Sequence, residues 1–236
     1  MRKYLAESVA EKLEAKLSLA REVGADAAKM AFSHSEQRSC NYESGRLKRV
    51  SATEKIVCAV RALVNGRTAQ VSGNDLDNLD ELVRRAVGLA ANGSSAHFSR
   101  YPGASALTSV ETYSPRTLEL TTEQMIQDAG GMVERLREYD DELDIHAAGV
   151  VRESESCLVT TGGFRHTELD TAWGLDCQTQ RTDDTDMLFC GYSRGWADRN
   201  EFYDPDEIVE RVLCDLKWGE TIVDPPRGRV PAFLPP

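Results

Sequence analysis

Two histidine–glutamate pairs are the residues in this sequence whose types and spacing could support catalysis. The segment "SHSE" places His34 two residues before Glu36, and "RHTEL" places His166 two residues before Glu168. Residues two apart on a β-strand share a face, so each imidazole could meet its carboxylate. Such a pair is the minimum for a general base with an orienting group. Neither pair has a nucleophile or a third metal ligand beside it in the sequence, which favours ordinary exposed strand pairs.

The sequence lacks the other common signatures of catalysis and of metal binding. It has no His-Glu-x-x-His motif, no Gly-x-Ser-x-Gly nucleophile elbow and no phosphate-binding glycine loop. His97 and His146 each stand alone, and no Cys-x-x-Cys pair occurs. The cysteines are widely scattered, as is typical of small buried apolar residues: Cys40, Cys58, Cys157, Cys177, Cys190 and Cys214. We therefore expect no catalytic residue, no metal ligand and no cofactor in this chain.

Two charged clusters remain as candidates for surface functions. The acidic run "RTDDTDM" (181–187) lacks the spacing and the glycine of a calcium-binding loop, so it predicts a solvated turn between strands. The segment "GYSRGWADRN" gathers a basic and aromatic patch, made of Tyr192, Arg194, Trp196 and Arg199. This patch is the candidate partner-binding surface, although a strand tryptophan more often packs on a core.

Composition excludes some classes of partner and of location. The chain has 236 residues and a net charge of −11, with 39 acidic residues against 28 basic ones, which argues against nucleic-acid binding. No apolar run approaches the roughly 20 residues that cross a bilayer. The first residues mix charges throughout and do not form a signal peptide. We therefore expect a cytoplasmic protein with reduced thiols and without a membrane partner.

Hydrophobic periodicity predicts an α+β fold in which the order helix, four antiparallel strands, helix occurs twice. The first copy covers residues 1–92 and has a hairpin at Asn65-Gly66. The second covers residues 120–219 and opens with the capping box Thr121-x-x-Gln124. Residues 93–119 form a linker or long loop, and residues 220–236 form a Pro-rich tail. We predict antiparallel sheets covered by helices, related by an internal duplication.

Several weak motifs, specific in combination, resemble the N-terminal region of the TldD/PmbA family, whose members are also named as modulators of DNA gyrase. In the first half they are the turn at 43–47, the strand and hairpin at 60–67 and the alanine-rich helix at 79–91. In the second half they are the strand turn "SCLVTTGGFRHTE" and the junction "WGETIVDPPRGRVPAFLPP". The resemblance covers nearly the whole chain and does not separate the TldD-like from the PmbA-like branch.

The resemblance implies a role in zinc-dependent proteolysis of peptides or unfolded protein. In that family the His-Glu-x-x-x-His zinc motif lies C-terminal to this junction, so zinc is expected only in that absent half or in a partner. The first hypothesis is therefore a non-catalytic portion that guides substrate and assembles with itself or with a related chain. The alternative is a free-standing protein-binding module without enzymatic activity. A neighbouring reading frame that encodes the zinc motif would favour the first hypothesis.

Overall fold

A computed structural model describes residues 5–198, 204–221, 223–224, 227–229 and 231. The tail predicted over residues 220–236 lies in large part outside these described residues. The helices and strands are, in chain order, α1 (Leu5–Glu22), β1 (Ala27–Glu43), β2 (Arg46–Val64), β3 (Arg67–Gly73), α2 (Leu79–Ala90), β4 (Ser94–Ser95), α3 (Pro115–Leu118), α4 (Thr122–Tyr139), β5 (Asp144–Thr160), β6 (Arg165–Asp183), β7 (Asp186–Trp196) and α5 (Pro205–Trp218).

The seven strands form one antiparallel sheet in the order β4-β3-β2-β1-β5-β6-β7. The predicted α+β class with antiparallel strands and covering helices is therefore confirmed. At the centre, β1 pairs with β5 from Lys29 opposite Thr160 to Tyr42 opposite Ala147. Because this pair joins the two halves of the chain, they share one sheet.

The two halves have matching elements, but each holds three long strands where the sequence predicted four. The opening helices α1 and α4 both have 18 residues, β1 and β5 both have 17, and β2 and β6 both have 19. Strand β2 contains neither Gly nor Pro, so nothing in its backbone interrupts the ladder. The matched lengths support the internal duplication, which stays a prediction together with the divisions at 92, 119 and 219.

The helices pack on one face of the sheet and build two separate cores. On β1, alternate residues Ala28, Met30 and Phe32 point into the first core with α1 and α2. Cys40, on the same face, points into the second core with α4 and α5. The middle of β1 therefore lies between the two cores. Among the helices of the described residues, none combines the length and apolar character of a bilayer span.

The local sequence signals are found where they were predicted. Asn65 and Gly66 have φ angles of +48° and +71°, as a two-residue turn with left-handed central positions requires. Thr121 accepts from the Gln124 amide at 3.2 Å, and the Gln124 side chain accepts from the Thr121 amide at 2.9 Å, so the capping box is complete. Asp204 is the N-cap residue of α5, and its carboxylate accepts a hydrogen bond from the Asp206 amide at 2.9 Å.

The connector between the halves crosses from one half to the other and is partly ordered by aromatic packing. Phe98 and Tyr101 are in ring contact, with centroids 5.1 Å apart, and they pack on Ala27 and Leu63. Farther along, Thr171 donates its amide to the Thr112 carbonyl at 2.9 Å, which holds the connector beside β6.

Candidate functional site

A polar cleft of about 880 Å³ lies on the helix-covered face, over the middle of β1 and its two neighbouring strands. Residues 36–38 of β1 and 52–54 of β2 form much of its floor, with Val151 and Glu153 of β5. Residues 118–123, which run from the last residue of α3 into the first turn of α4, form a wall. The side chain of Arg38 donates to the Leu118 carbonyl at 3.1 Å and so fixes this wall to the sheet.

A row of three glutamates crosses the floor of the cleft. Glu36 lies directly opposite Glu54 on β2 and directly opposite Glu153 on β5. Glu153 is only 8% exposed, whereas Glu36 and Glu54 are exposed. Like charges directly opposite each other destabilise a sheet, so this row favours binding of a cation or of a protonated amine.

One imidazole adjoins this row of carboxylates. The Nε2 atom of His34 lies 2.9 Å from Oε1 of Glu54. Ligand atoms of His34, Glu36 and Glu54 all lie within 4.8 Å of one another, so these three side chains could hold a metal ion. Within the described residues this is the one such group of three. Two of its members are exposed, which favours weak and reversible binding.

Glu155 has a different role, at the beginning of α1. It lies opposite His34 in the sheet, and its Oε2 atom accepts from the Ala6 amide at 3.1 Å. A carboxylate at this position stabilises the helix N-terminus, where backbone amides lack partners. The contact spans 149 positions of the chain, so no local sequence signal could have indicated it.

The sequence predicted the partner of His34 only in part. Glu36 does share the face of His34, but the hydrogen-bonding partner is Glu54, on the adjacent strand. If β1 and β2 paired without interruption from the turn at Ser44-Gly45 onward, Thr53 would lie opposite Glu36. A bulge at Asn41/Tyr42 shifts the register by one residue and places Glu54 there instead. A bulge is not readable from hydrophobic alternation, which explains why this partner was missed.

The other histidines lie apart from this cleft. His166 and Glu168 do approach each other, with Nε2 and Oε2 3.8 Å apart, on the sheet face that the helices leave uncovered. His146 lies 3.4 Å from Asp144 on β5, and His97 lies in the connector. The acidic run at 181–187 ends β6 and forms the turn into β7, as predicted.

The patch of Tyr192, Arg194 and Trp196 lies on β7 and faces α5 and the second core. Tyr192 and Trp196 are partly buried against that core, and Arg194 lies 3.4 Å from Glu207 of α5. Its fourth member, Arg199, lies outside the described residues. Since these contacts hold the strand to the helix, they give the patch a packing role, and its binding role stays a prediction.

The buried cysteines are poor nucleophiles. All six cysteines are free thiols, and five of them are buried. Burial raises the pKa of Cys177 to about 12 and that of Cys157 to about 11. Since the thiolate is the reactive species, these two thiols are held in the unreactive form at neutral pH.

The fold defines an α+β protein with one antiparallel sheet and an acidic cleft between two helical cores. Residues 28–90 match the family model described as PmbA/TldA metallopeptidase domain 1. This segment forms all but the first residue of β1, together with β2, β3 and α2, and contributes His34, Glu36 and Glu54. The resemblance to the PmbA/TldD family that the sequence predicted is therefore confirmed over residues 28–90, which are similar to the first domain of that family. No curated protein sequence matches the chain significantly.

Three solved structures share this fold over most of the chain. TldE from Thermococcus kodakarensis has a TM-score of 0.72 at 15% identity, covering 89% of this chain and 48% of its own. A candidate modulator of a DNA gyrase from Thermotoga maritima has a TM-score of 0.65 at 16% identity, covering 87% and 47%. A similarly named protein from Bacteroides thetaiotaomicron has a TM-score of 0.68 at 17% identity, covering 88% and 49%. The chain thus spans about half the length of these structures.

Proposed function

We propose that this chain is a non-catalytic N-terminal portion of a TldD/PmbA-like zinc metallopeptidase system that acts on peptides or unfolded protein. Its roles would be to guide the substrate and to form subunit contacts. The observation that carries the proposal is the match of residues 28–90 to the first domain of this metallopeptidase family. That segment supplies two of the three strands under the acidic cleft.

The placement of the histidines supports the non-catalytic part of this proposal. His34, His146 and His166 lie on three different strands, and His97 lies in the connector. A catalytic zinc needs three protein ligands and an open position that holds water. In the described part of the chain, the one group of three candidate ligands is His34, Glu36 and Glu54, and its two exposed carboxylates favour weak binding. The system's catalytic zinc would therefore be held by a related chain or by the C-terminal half of the family's longer chains.

Subunit assembly is the second part of the proposal. Among the described residues, Met187 and Phe189 are exposed large apolar side chains that stand two residues apart on the edge strand β7, on the sheet face that the helices leave uncovered. Exposed apolar side chains that cluster mark interaction surfaces. A second copy or a related chain is the partner that the family match favours.

We further propose a cytoplasmic location. The six cysteines of the chain are unpaired, and free buried thiols are typical of a reducing compartment.

A reconstituted digestion assay tests the proposed function. The chain is combined with a zinc-containing partner that carries the His-Glu-x-x-x-His motif, and degradation of an unfolded protein is followed with and without a chelator. We expect the chain alone to be inactive and the mixture to degrade faster than the partner alone. Chelator-sensitive cleavage by the chain alone would overturn the non-catalytic role. An unchanged rate together with no complex in sedimentation would favour the free-standing binding module.

A further inference from the structure

The outer edge of β2 is open along most of the strand. Strand β1 pairs with the inner side of β2, and β3 pairs on the outer side only with Cys58–Val64. Within the described residues, no strand therefore lies on the outer side of positions 46–57. Almost every residue from 46 to 55 is exposed. At about 3.3 Å per residue, these 12 positions make an edge of roughly 40 Å, along which every second residue directs its backbone N–H and C=O outward.

The matching edge in the second half of the chain is covered. Strand β6 also extends past its outer neighbour, because β7 pairs with β6 only from Trp173 onward. The connector between the two halves of the chain lies along this part of the outer edge of β6. Thr171 donates its amide to the Thr112 carbonyl at 2.9 Å, and the Thr112 hydroxyl donates to the Leu169 carbonyl at 3.0 Å. The fold therefore places an extended segment on one of two equivalent edges and leaves the other open.

The open edge is basic in a chain that is acidic overall. The exposed part of β2 carries one acidic side chain, Glu54, and four basic ones. The basic residues are Arg46, Lys48, Arg49 and Lys55. Within the part of the chain that the structure describes, none of these four forms an ion pair, whereas the chain has a net charge of −11. Complementary charge steers association and selects partners.

We propose that the outer edge of β2 binds an extended acidic peptide segment as an added strand. Backbone hydrogen bonds would supply binding, as in other strand-addition complexes, and the four cations would select acidic side chains. This inference rests on the proposed function and deepens it, since it names the class of segment that the chain would guide. Basic side chains on edge strands also prevent sheets from associating, and that role alone predicts no peptide binding.

A peptide-binding measurement tests the inference without any peptidase. The probe is a fluorescein-labelled decapeptide, Glu-Val-Glu-Thr-Glu-Val-Glu-Thr-Glu-Val, titrated with the purified chain and followed by anisotropy. Two peptides of the same sequence, N-methylated at the odd or at the even positions, serve as backbone controls. We expect the parent peptide to bind and at least one methylated form to lose binding about tenfold or more, because methylation removes donors from one edge.

Charge variants test whether the basic side chains of β2 contribute to peptide binding. The double variant R49E/K55E should weaken binding about tenfold, and added salt should weaken binding to the wild-type chain. The matched control K12E/R84E makes the same change of charge at exposed positions on α1 and α2 and should change binding less than twofold. Thermal melts of both variants confirm that they fold.

Three outcomes would overturn the inference. They are no binding of the parent peptide, equal binding of the parent and both methylated forms, and equal loss in the two charge variants. Because the assay contains no peptidase, peptide binding without stimulated digestion would contradict only the proposed function. Stimulated digestion without peptide binding at β2 would contradict only this inference.

Discussion

His34 and Glu54, twenty residues apart in the chain, meet with Nε2 and Oε1 2.9 Å apart on the helix-covered face of the sheet. The contact depends on the bulge at Asn41/Tyr42, which places Glu54 on the same face as His34. Without that shift Glu54 would share the uncovered face with Ser35. One inserted residue in a hairpin therefore decides which side chains line the cleft.

The His34–Glu54 contact should contribute little to stability. Glu54 has a side chain that is 65% exposed, and exposed ion pairs contribute about 0–1 kcal/mol. A double-mutant cycle with His34→Gln and Glu54→Gln, measured by urea unfolding, should give a coupling free energy below about 1 kcal/mol. A coupling of several kcal/mol would mean that the pair is a structural core element rather than part of an accessible site.

The purified chain should not hold zinc stoichiometrically. The three candidate ligands include two exposed carboxylates, so any binding at His34, Glu36 and Glu54 should be weak. Elemental analysis after gel filtration should find far less than one zinc per chain. Residual binding in a titration should fall with Glu54→Gln and persist with Glu168→Gln, which alters a similar pair on the opposite face. Stoichiometric zinc that survives gel filtration would refute this expectation.

Thiol labelling should single out one cysteine. Cys214 is the partly exposed member of the six, and the others are buried. At pH 8, Ellman's reagent should therefore react rapidly with one thiol per chain and with the remaining five only on unfolding. Cys214→Ser should remove the rapid phase, and a second rapid thiol in that variant would contradict the described packing.

Stability should fall in alkaline solution. Burial raises the pKa of Cys157 to about 11 and that of Cys177 to about 12, from an ordinary value of 9.0. Above pH 9 the unfolded chain releases these protons while the folded chain keeps them, so rising pH favours unfolding. Each thiol should lower the free energy of unfolding by up to about 1.4 kcal/mol per pH unit from pH 9 toward its raised pKa.

The control for this effect removes both thiols. In the double variant C157A/C177A, the decline between pH 9 and 11 should be clearly shallower than in the wild-type chain. The comparison uses the slope against pH, because alanine at either site also changes packing. Equal slopes would show that these two thiols do not titrate as the structure indicates.

The capping box of α4 should stabilise the protein more than the cap of α2. The Thr121 hydroxyl accepts from the Gln124 amide, so Thr121→Ala should lower the free energy of unfolding by about 1 kcal/mol. Asn78 precedes α2 without a side-chain hydrogen bond to the backbone, and Asn78→Ala should cost about half as much or less. Chemical denaturation of the two variants checks the order, and the reverse order would contradict the assigned caps.

The sequence alone determined the features that depend on a few neighbouring residues. The turn at Asn65-Gly66 follows from the φ angles that the pair tolerates, and the beginning of α4 follows from two reciprocal hydrogen bonds within four residues. These signals act over one or two turns of chain, where steric limits and local hydrogen bonds dominate.

Only the tertiary structure decided which distant residues meet. The cleft needs the pairing of β1 with both β2 and β5, and that pairing places Glu36, Glu54 and Glu153 in one row. The pairing register depends on a bulge, and the helices of the two cores pack on one face of the paired strands. Such contacts are decided by the summed packing and hydrogen bonding of whole strands, so no short segment of the sequence specifies them.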